Sequence, residues 1–161
     1  MKHRFIFAAA LLVLTLQGAL AQAQQLTIQN GSGKPVVLAR ADLEALPHIK
    51  ITTNKVGSST VFEGISLEAV LEKAGVQFGE SLRGKRLASY LLVEGADGYR
   101  AVIALPEIDP AFTDKQIILA FLKDGKPLDD KEGPYRIVIP DEKRMARWVR
   151  EVTVLKVVDV P

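Results

Sequence analysis

The sequence predicts an α+β fold: a strand-rich single domain with two or three short helices. Short apolar runs, either alternating or continuous, are separated by turn residues such as Asp124-Gly125, as is typical of strands joined by tight connections. Only two stretches have helical spacing, and no internal repeat or low-complexity tract occurs. We therefore expect the helices to pack on one side of bent antiparallel sheets.

The predicted strands alternate with turns along the whole domain. They cover residues 26–29, 36–39, 49–53, 87–94, 99–105, 117–122, 136–139 and 149–158. Between the third and fourth strands, residues 54–60 are polar and contain Gly57, which predicts a loop. His48 is predicted to lie on a connection, since no Ser or Asp is placed to complete a catalytic triad motif with it.

Two helices are predicted from spacing and capping residues. One turn over residues 41–46 ends at Pro47, and a longer helix over 67–74 begins after Ser66 as N-cap and ends at Gly75. The longer helix has one apolar face that we expect to be buried, formed by Leu67, Val70, Leu71 and Ala74.

Residues 1–21 have the pattern of a secretory signal peptide. Lys2, His3 and Arg4 form a positive start, residues 5–16 are apolar apart from Thr15, and small residues allow cleavage after Ala21 or Ala23. A retained N-terminal anchor is the alternative. We expect residues 22–161 to form the exported domain, periplasmic or secreted, with no membrane association after signal cleavage.

Charge and cysteine content exclude several classes of function. Removal of Lys2 and Arg4 with the leader leaves 19 basic and 19 acidic residues, which argues against nucleic acid as the partner. The sequence has no cysteine, and His48 is the one histidine beyond the leader, so no metal ligands are predicted. We also find no nucleophile motif and predict no catalytic residue.

Charged residues cluster near the C-terminal end of the chain. The acidic group precedes Gly133-Pro134 and consists of Asp129, Asp130 and Glu132. The basic group follows Pro140 and consists of Lys143, Arg144, Arg147 and Arg150. Both groups are predicted to face solvent, with anion binding by the basic group as the alternative.

Three phrases occur in a fixed order: FEGISLEAVLEKAGV (62–76), VEGADGYRAVIAL (93–105) and ILAFLKDGKPLDDKEGPYRIVIP (118–140), followed by RMARWVREVTVL. Together with the opening LTIQNGSGKPVVLARADLEALP, they resemble the oxidoreductase molybdopterin-binding domain, which has the sulfite-oxidase-like fold. The likeness covers nearly all of residues 22–161. It implies that fold and an ancestral molybdopterin cleft.

The resemblance implies four cofactor-binding residues. A tyrosine at the position matching Tyr99 lines the substrate pocket in sulfite-oxidase relatives, although packing would also account for this side chain. Arg136, in a phrase similar to the family's Gly-x-Pro-x-Arg, would hold the pterin phosphate or form a structural ion pair. Arg144 and Arg147 complete the predicted set, and Trp148 is predicted to be core.

Three features depart from the family pattern. The enzymes bind molybdenum through a cysteine thiolate, which Ser58, Ser59 or Thr60 cannot replace. The loop 141–146 has no glycine for close backbone approach to the pterin. The leader lacks the Arg-Arg pair that export of a folded, cofactor-loaded protein requires.

These departures predict a degenerate member of the family that acts as a non-catalytic anion- or partner-binding module. The expected partner is a small anion or a periplasmic protein, and no cofactor is expected. The alternative is a small working molybdopterin-dependent oxidoreductase whose missing metal ligand is dispensable or comes from a partner.

Overall fold

The computed structural model describes residues 25–55 and 57–160, so the predicted signal peptide lies outside the described residues. Within these ranges the chain forms ten strands in two five-stranded sheets. The strands are β1 Leu26–Asn30, β2 Val36–Leu38, β3 His48–Lys55, β4 Ser58–Ser66, β5 Tyr90–Gly95, β6 Arg100–Ala104, β7 Ile118–Lys123, β8 Lys126–Pro127, β9 Arg136–Val138 and β10 Val152–Val158.

The described residues contain two short α-helices, and both were predicted. They are α1 (Arg40–Glu44) and α2 (Leu67–Lys73), and the short 3-10 helices of the same residues are η1 Gly79–Ser81, η2 Gly84–Ala88, η3 Leu105–Glu107 and η4 Met145–Arg147. The predicted face of α2 is buried, and Gly75 ends the helix with φ +82°. Ser66 stands at the N-cap without a side-chain cap bond.

The first sheet has the strand order β2-β1-β10-β5-β6. Its pairs are antiparallel apart from β1 and β10, which run parallel. The prediction of wholly antiparallel sheets is therefore wrong at this pair. Strands β1 and β10, the first and last described strands, lie side by side. Parallel pairing requires a long connection between the two strands, and most of the domain separates these two.

The second sheet has the order β3-β4-β7-β8, with β9 also paired to β7. Strand β8 pairs with Leu122 and Lys123 at the end of β7, and β9 pairs with residues 118–120 at its start. A bulge in β7 leaves Phe121 without an opposite residue in β4, and it lies beside Gly64, where a Cβ would come within 2.2 Å of the Leu119 carbonyl oxygen. Only glycine allows this approach of the two strands.

The predicted loop over residues 54–60 is wrong. Strand β3 continues to Lys55 and β4 begins at Ser58, with Asn54 opposite Ser59 in the register. Gly57 has φ +77° and makes the tight reversal possible. The polar side chains of Asn54, Ser58 and Ser59 are exposed, so no apolar face marks this part of the hairpin in the sequence. Two smaller differences follow: His48 begins β3, and β5 begins at Tyr90 after η2.

Candidate functional site

A cleft of about 420 Å³ lies where the turn between β5 and β6 faces the start of β9 and η4. Its walls come from segments that are far apart in the sequence. The lining residues are Asp97, Tyr99, Glu132, Arg136, Met145, Ala146, Trp148 and Arg150. Two of the four predicted cofactor-binding residues, Tyr99 and Arg136, therefore share one cleft.

The turn before Tyr99 is fixed from several sides. Gly98 has φ +81°, and its N–H donates to the Gly95 carbonyl at 3.0 Å. The Asp97 carboxylate accepts from the Tyr99 N–H at 2.9 Å, while the Ala96 N–H donates to the Glu151 carbonyl. This network holds Tyr99 at the mouth of the cleft.

Tyr99 joins the two sides of the cleft mouth. Its hydroxyl donates to the Ala146 carbonyl at 2.7 Å, and its side chain remains half exposed. The phenol proton is therefore already used within the protein, although the oxygen can still accept a hydrogen bond. The structure thus gives Tyr99 a packing and bridging role as well as a place in the cleft wall.

Arg136 forms the buried cationic centre of the cleft. Its guanidinium carbon lies 5.5 Å from the ring centroids of both Phe62 and Trp148, which contact each other edge to face. Only 8% of the side chain is exposed. A charge this deep requires partners, since burial of an unpaired ion is costly.

Glu132 supplies the paired charge. Its Oε1 accepts from Arg136 Nη1 at 2.5 Å, and its Oε2 lies 3.3 Å from Lys123 Nζ. The prediction that Glu132 belongs to a solvent-facing acidic group is wrong, because the residue lines the cleft with its side chain largely buried. Glu132 and Arg136 are only four residues apart, but no local sequence signal marks this role, because Arg136 is buried by Phe62 and Trp148, which are distant in the sequence.

Two donors in the cleft wall lack partners among the described residues. Arg136 Nε and Trp148 Nε1 are both buried, and neither donates a hydrogen bond to an acceptor among the described residues. Trp148 is core, as predicted, and it also lines the cleft. Buried donors of this kind cost about 1–3 kcal/mol each unless water or a ligand satisfies them.

Arg144 and Arg147 are not among the residues that line the cleft. Arg144 is exposed just before η4. Arg147 makes a two-bond pair with Glu107, both at 3.1 Å, and its Nε donates to Glu142 at 2.7 Å. The structure therefore places Arg147 in an ion-pair cluster beside the cleft, and the cofactor-binding assignment of the four residues stays a prediction.

Ionisation in the Arg147 cluster follows from these contacts. Hydrogen bonds from Arg147 lower the pKa of Glu107 below its ordinary value, and hydrogen bonds to Glu107 raise the pKa of Arg147. Next to Arg136, burial raises the pKa of Tyr135 to about 12, so this phenol is neutral at any physiological pH. The cluster is therefore held as charged pairs, whereas Tyr135 is a buried neutral side chain.

We find no cluster of metal-ligating side chains among the described residues. No group of three or more histidine, cysteine, aspartate or glutamate side chains is gathered there in a way that could hold a metal ion.

Among the same described residues, no helix has the length and hydropathy to span a membrane.

Comparisons with known proteins bear on the fold. The model of the oxidoreductase molybdopterin binding domain matches residues 15–160. The crystal structure of the sulfane dehydrogenase SoxCD from Paracoccus pantotrophus matches with a TM-score of 0.65 and 22% sequence identity. The match covers 86% of this chain and 39% of that chain, and it confirms the predicted sulfite-oxidase-like fold. No curated protein matches significantly.

Proposed function

Since the chain belongs to the oxidoreductase molybdopterin binding domain family, we propose that it is a degenerate, non-catalytic and exported member that acts as an anion- or partner-binding module. A small anion in the cleft is the ligand that the geometry supports best. The observation that carries this proposal is the buried Arg136, placed in the wall of a cleft in a chain that has no thiol.

The cofactor that the family implies does not fit the donors of this cleft. Enzymes that the chain resembles hold molybdenum through a cysteine thiolate, and the sequence contains no cysteine. The cleft offers carboxylate oxygens from Asp97 and Glu132 instead, which are hard ligands, and Glu132 is already engaged by Arg136. We therefore derive no redox step through a metal.

The same cleft suits a small anion. A guanidinium held between two aromatic rings keeps a fixed orientation, so its donors are preorganised. Arg136 Nε and Trp148 Nε1 supply two N–H groups without described partners. An acceptor in this position would relieve two unsatisfied donors at once.

Metal content tests the non-catalytic role. We expect protein isolated from its native source to contain no stoichiometric molybdenum, and its acid extract to lack pterin fluorescence. Stoichiometric molybdenum with pterin would contradict the proposal and would favour the alternative, a working molybdopterin-dependent oxidoreductase with its missing ligand dispensable or supplied by a partner.

Export is a separate part of the proposal, and it rests on the leader pattern of residues 1–21. We expect the native protein to be periplasmic or secreted and to begin after Ala21 or Ala23. Intact-mass measurement of the native protein checks this expectation. A native chain that retains Met1 and stays in the cytoplasm would contradict it.

A further inference from the structure

The four charged residues that line the cleft are balanced in formal charge. Asp97 and Glu132 are acidic, and Arg136 and Arg150 are basic. Resting on the proposed function, we propose that Glu132 fills the anion position of Arg136 and thereby restricts the cleft to ligands with at most one negative charge. Glu132 would then determine the specificity of the module.

Contacts of the Glu132 side chain support this role. Its carboxylate lies between two cations, with Oε1 at 2.5 Å from Arg136 Nη1 and Oε2 at 3.3 Å from Lys123 Nζ. The three side chains are 15%, 8% and 40% exposed, in the order Glu132, Arg136 and Lys123. The pair with Arg136 is therefore shielded from water, where a charge-assisted hydrogen bond is strong.

Backbone contacts keep the carboxylate in this position. The Glu132 N–H donates to the Asp129 carbonyl at 3.0 Å, and the Glu132 carbonyl accepts from the Glu151 N–H at 3.0 Å. Both bonds anchor the residue at the edge of the cleft. Movement of the side chain away from Arg136 would leave a buried guanidinium without its charge partner, which is unfavourable.

An incoming anion would meet an arginine that is already neutralised. Arg136 Nη1 is taken by Glu132, while Arg136 Nε and Trp148 Nε1 remain as donors. An acceptor group that reaches these donors can use them, but a second negative charge would share the cleft with the carboxylates of Glu132 and Asp97. Like charges repel strongly in a partly buried site, so dianions and polyanions are disfavoured.

Anion binding in the cleft can be measured through the fluorescence of Trp148. It is the only tryptophan in the sequence and lines the cleft, so its fluorescence reports on this site alone. The experiment titrates the purified protein with formate, sulfate and pyrophosphate at constant ionic strength, which keeps general screening equal among the probes. The variants are Glu132→Gln and, as control, Glu94→Gln. Glu94 pairs with Arg100 and is not among the residues that line the cleft.

We expect the unchanged protein to bind formate and to bind sulfate and pyrophosphate more weakly. Glu132→Gln should increase the affinity for both multivalent anions about tenfold, the scale of one hydrogen bond to a charged group. Glu94→Gln should leave all three affinities unchanged. Equal sulfate affinity in folded Glu132→Gln and in the unchanged protein would overturn the inference.

A second variant covers the case in which Glu132→Gln does not fold. Glu132→Asp keeps the charge but shortens the side chain by one carbon, so we expect an intermediate gain in sulfate affinity, and no gain would overturn the inference. Failure of the proposed function has a different signature. If the unchanged protein binds no probe while Glu132→Gln binds sulfate, the specificity role stands and native anion binding does not; if no protein binds any probe, both are overturned.

Discussion

Arg136 and Arg147 are eleven positions apart in the sequence and flank the same cleft, yet their environments differ. The Arg136 side chain is 8% exposed, packs between Phe62 and Trp148 and has one described carboxylate partner. Arg147 is 33% exposed and contacts two carboxylates, Glu107 and Glu142. The first arginine keeps one donor without a partner among residues 25–55 and 57–160, whereas the second forms four hydrogen bonds with those carboxylates.

The comparison shows that residue type alone does not identify a binding arginine. What distinguishes the two is the number of partners that the fold provides and their exposure to water. A solvent-exposed ion pair contributes little to stability. A buried cation with unsatisfied donors is stabilised when an acceptor binds to it.

Replacement of Arg136 by methionine should destabilise the protein most. Methionine fills the space between the rings of Phe62 and Trp148 but leaves Glu132 without its buried partner. We expect a loss of about 3–5 kcal/mol in the free energy of unfolding, measured by denaturant titration. A loss below about 1 kcal/mol would show that the pair is not effectively buried.

Replacement of Arg147 by methionine should have a smaller effect. The Arg147 side chain is one-third exposed, so water screens its pairs with Glu107 and with the more buried Glu142. We expect a loss of about 1 kcal/mol that shrinks in high salt. Denaturant titrations at low and high ionic strength measure both quantities. A loss as large as that of Arg136→Met would remove the contrast between the two arginines.

Tyr99→Phe should remove one hydrogen bond across the cleft mouth. The hydroxyl donates to Ala146, and the ring remains half exposed after the change. We expect a loss of about 0.5–1 kcal/mol in the free energy of unfolding, because water can solvate the Ala146 carbonyl. A loss of several kcal/mol would contradict this expectation and would mean that the structure of the whole cleft depends on the Tyr99 hydroxyl.

The smallest expected effect is a pH dependence from Glu107. Arg147 lowers the pKa of this carboxyl in the folded state below the ordinary value of 4.5. Its contribution to stability is therefore full above that value and is lost as pH falls through the lowered folded-state pKa. We expect Glu107→Gln to be less stable than the unchanged protein at neutral pH, with the gap closing in acid. A stability difference between the two proteins that widens in acid would contradict a lowered pKa of Glu107.

Much of the fold could be predicted from the sequence, because its signals are local. The face of α2 follows from helical spacing at Leu67, Val70 and Leu71, and the turn at Asp124-Gly125 from residues that adopt positive φ. The hairpin tip between β3 and β4 could not be predicted, since the side chains of Asn54, Ser58 and Ser59 are polar and exposed and no apolar face marks the paired strands there. The parallel pairing of β1 with β10 depends on the whole chain.

The candidate site was predicted in part for a similar reason. Motif resemblance indicated Tyr99 and Arg136, which share the cleft, together with Arg144 and Arg147, which are not among its lining residues. Glu132 was missed because its partner Arg136 becomes buried only when Phe62 of β4 and Trp148 after η4 close around it. Local charge clustering cannot reveal a carboxylate that long-range packing withdraws from water.

Formate titration of Arg136→Lys and Arg147→Lys, followed by Trp148 fluorescence, tests the central claim most directly. Each variant keeps its positive charge but loses the guanidinium donors, including Arg136 Nε. The account predicts that Arg136→Lys weakens binding about tenfold or more, while Arg147→Lys binds as the unchanged protein does. Binding that survives Arg136→Lys unchanged, or falls equally in both variants, would contradict it.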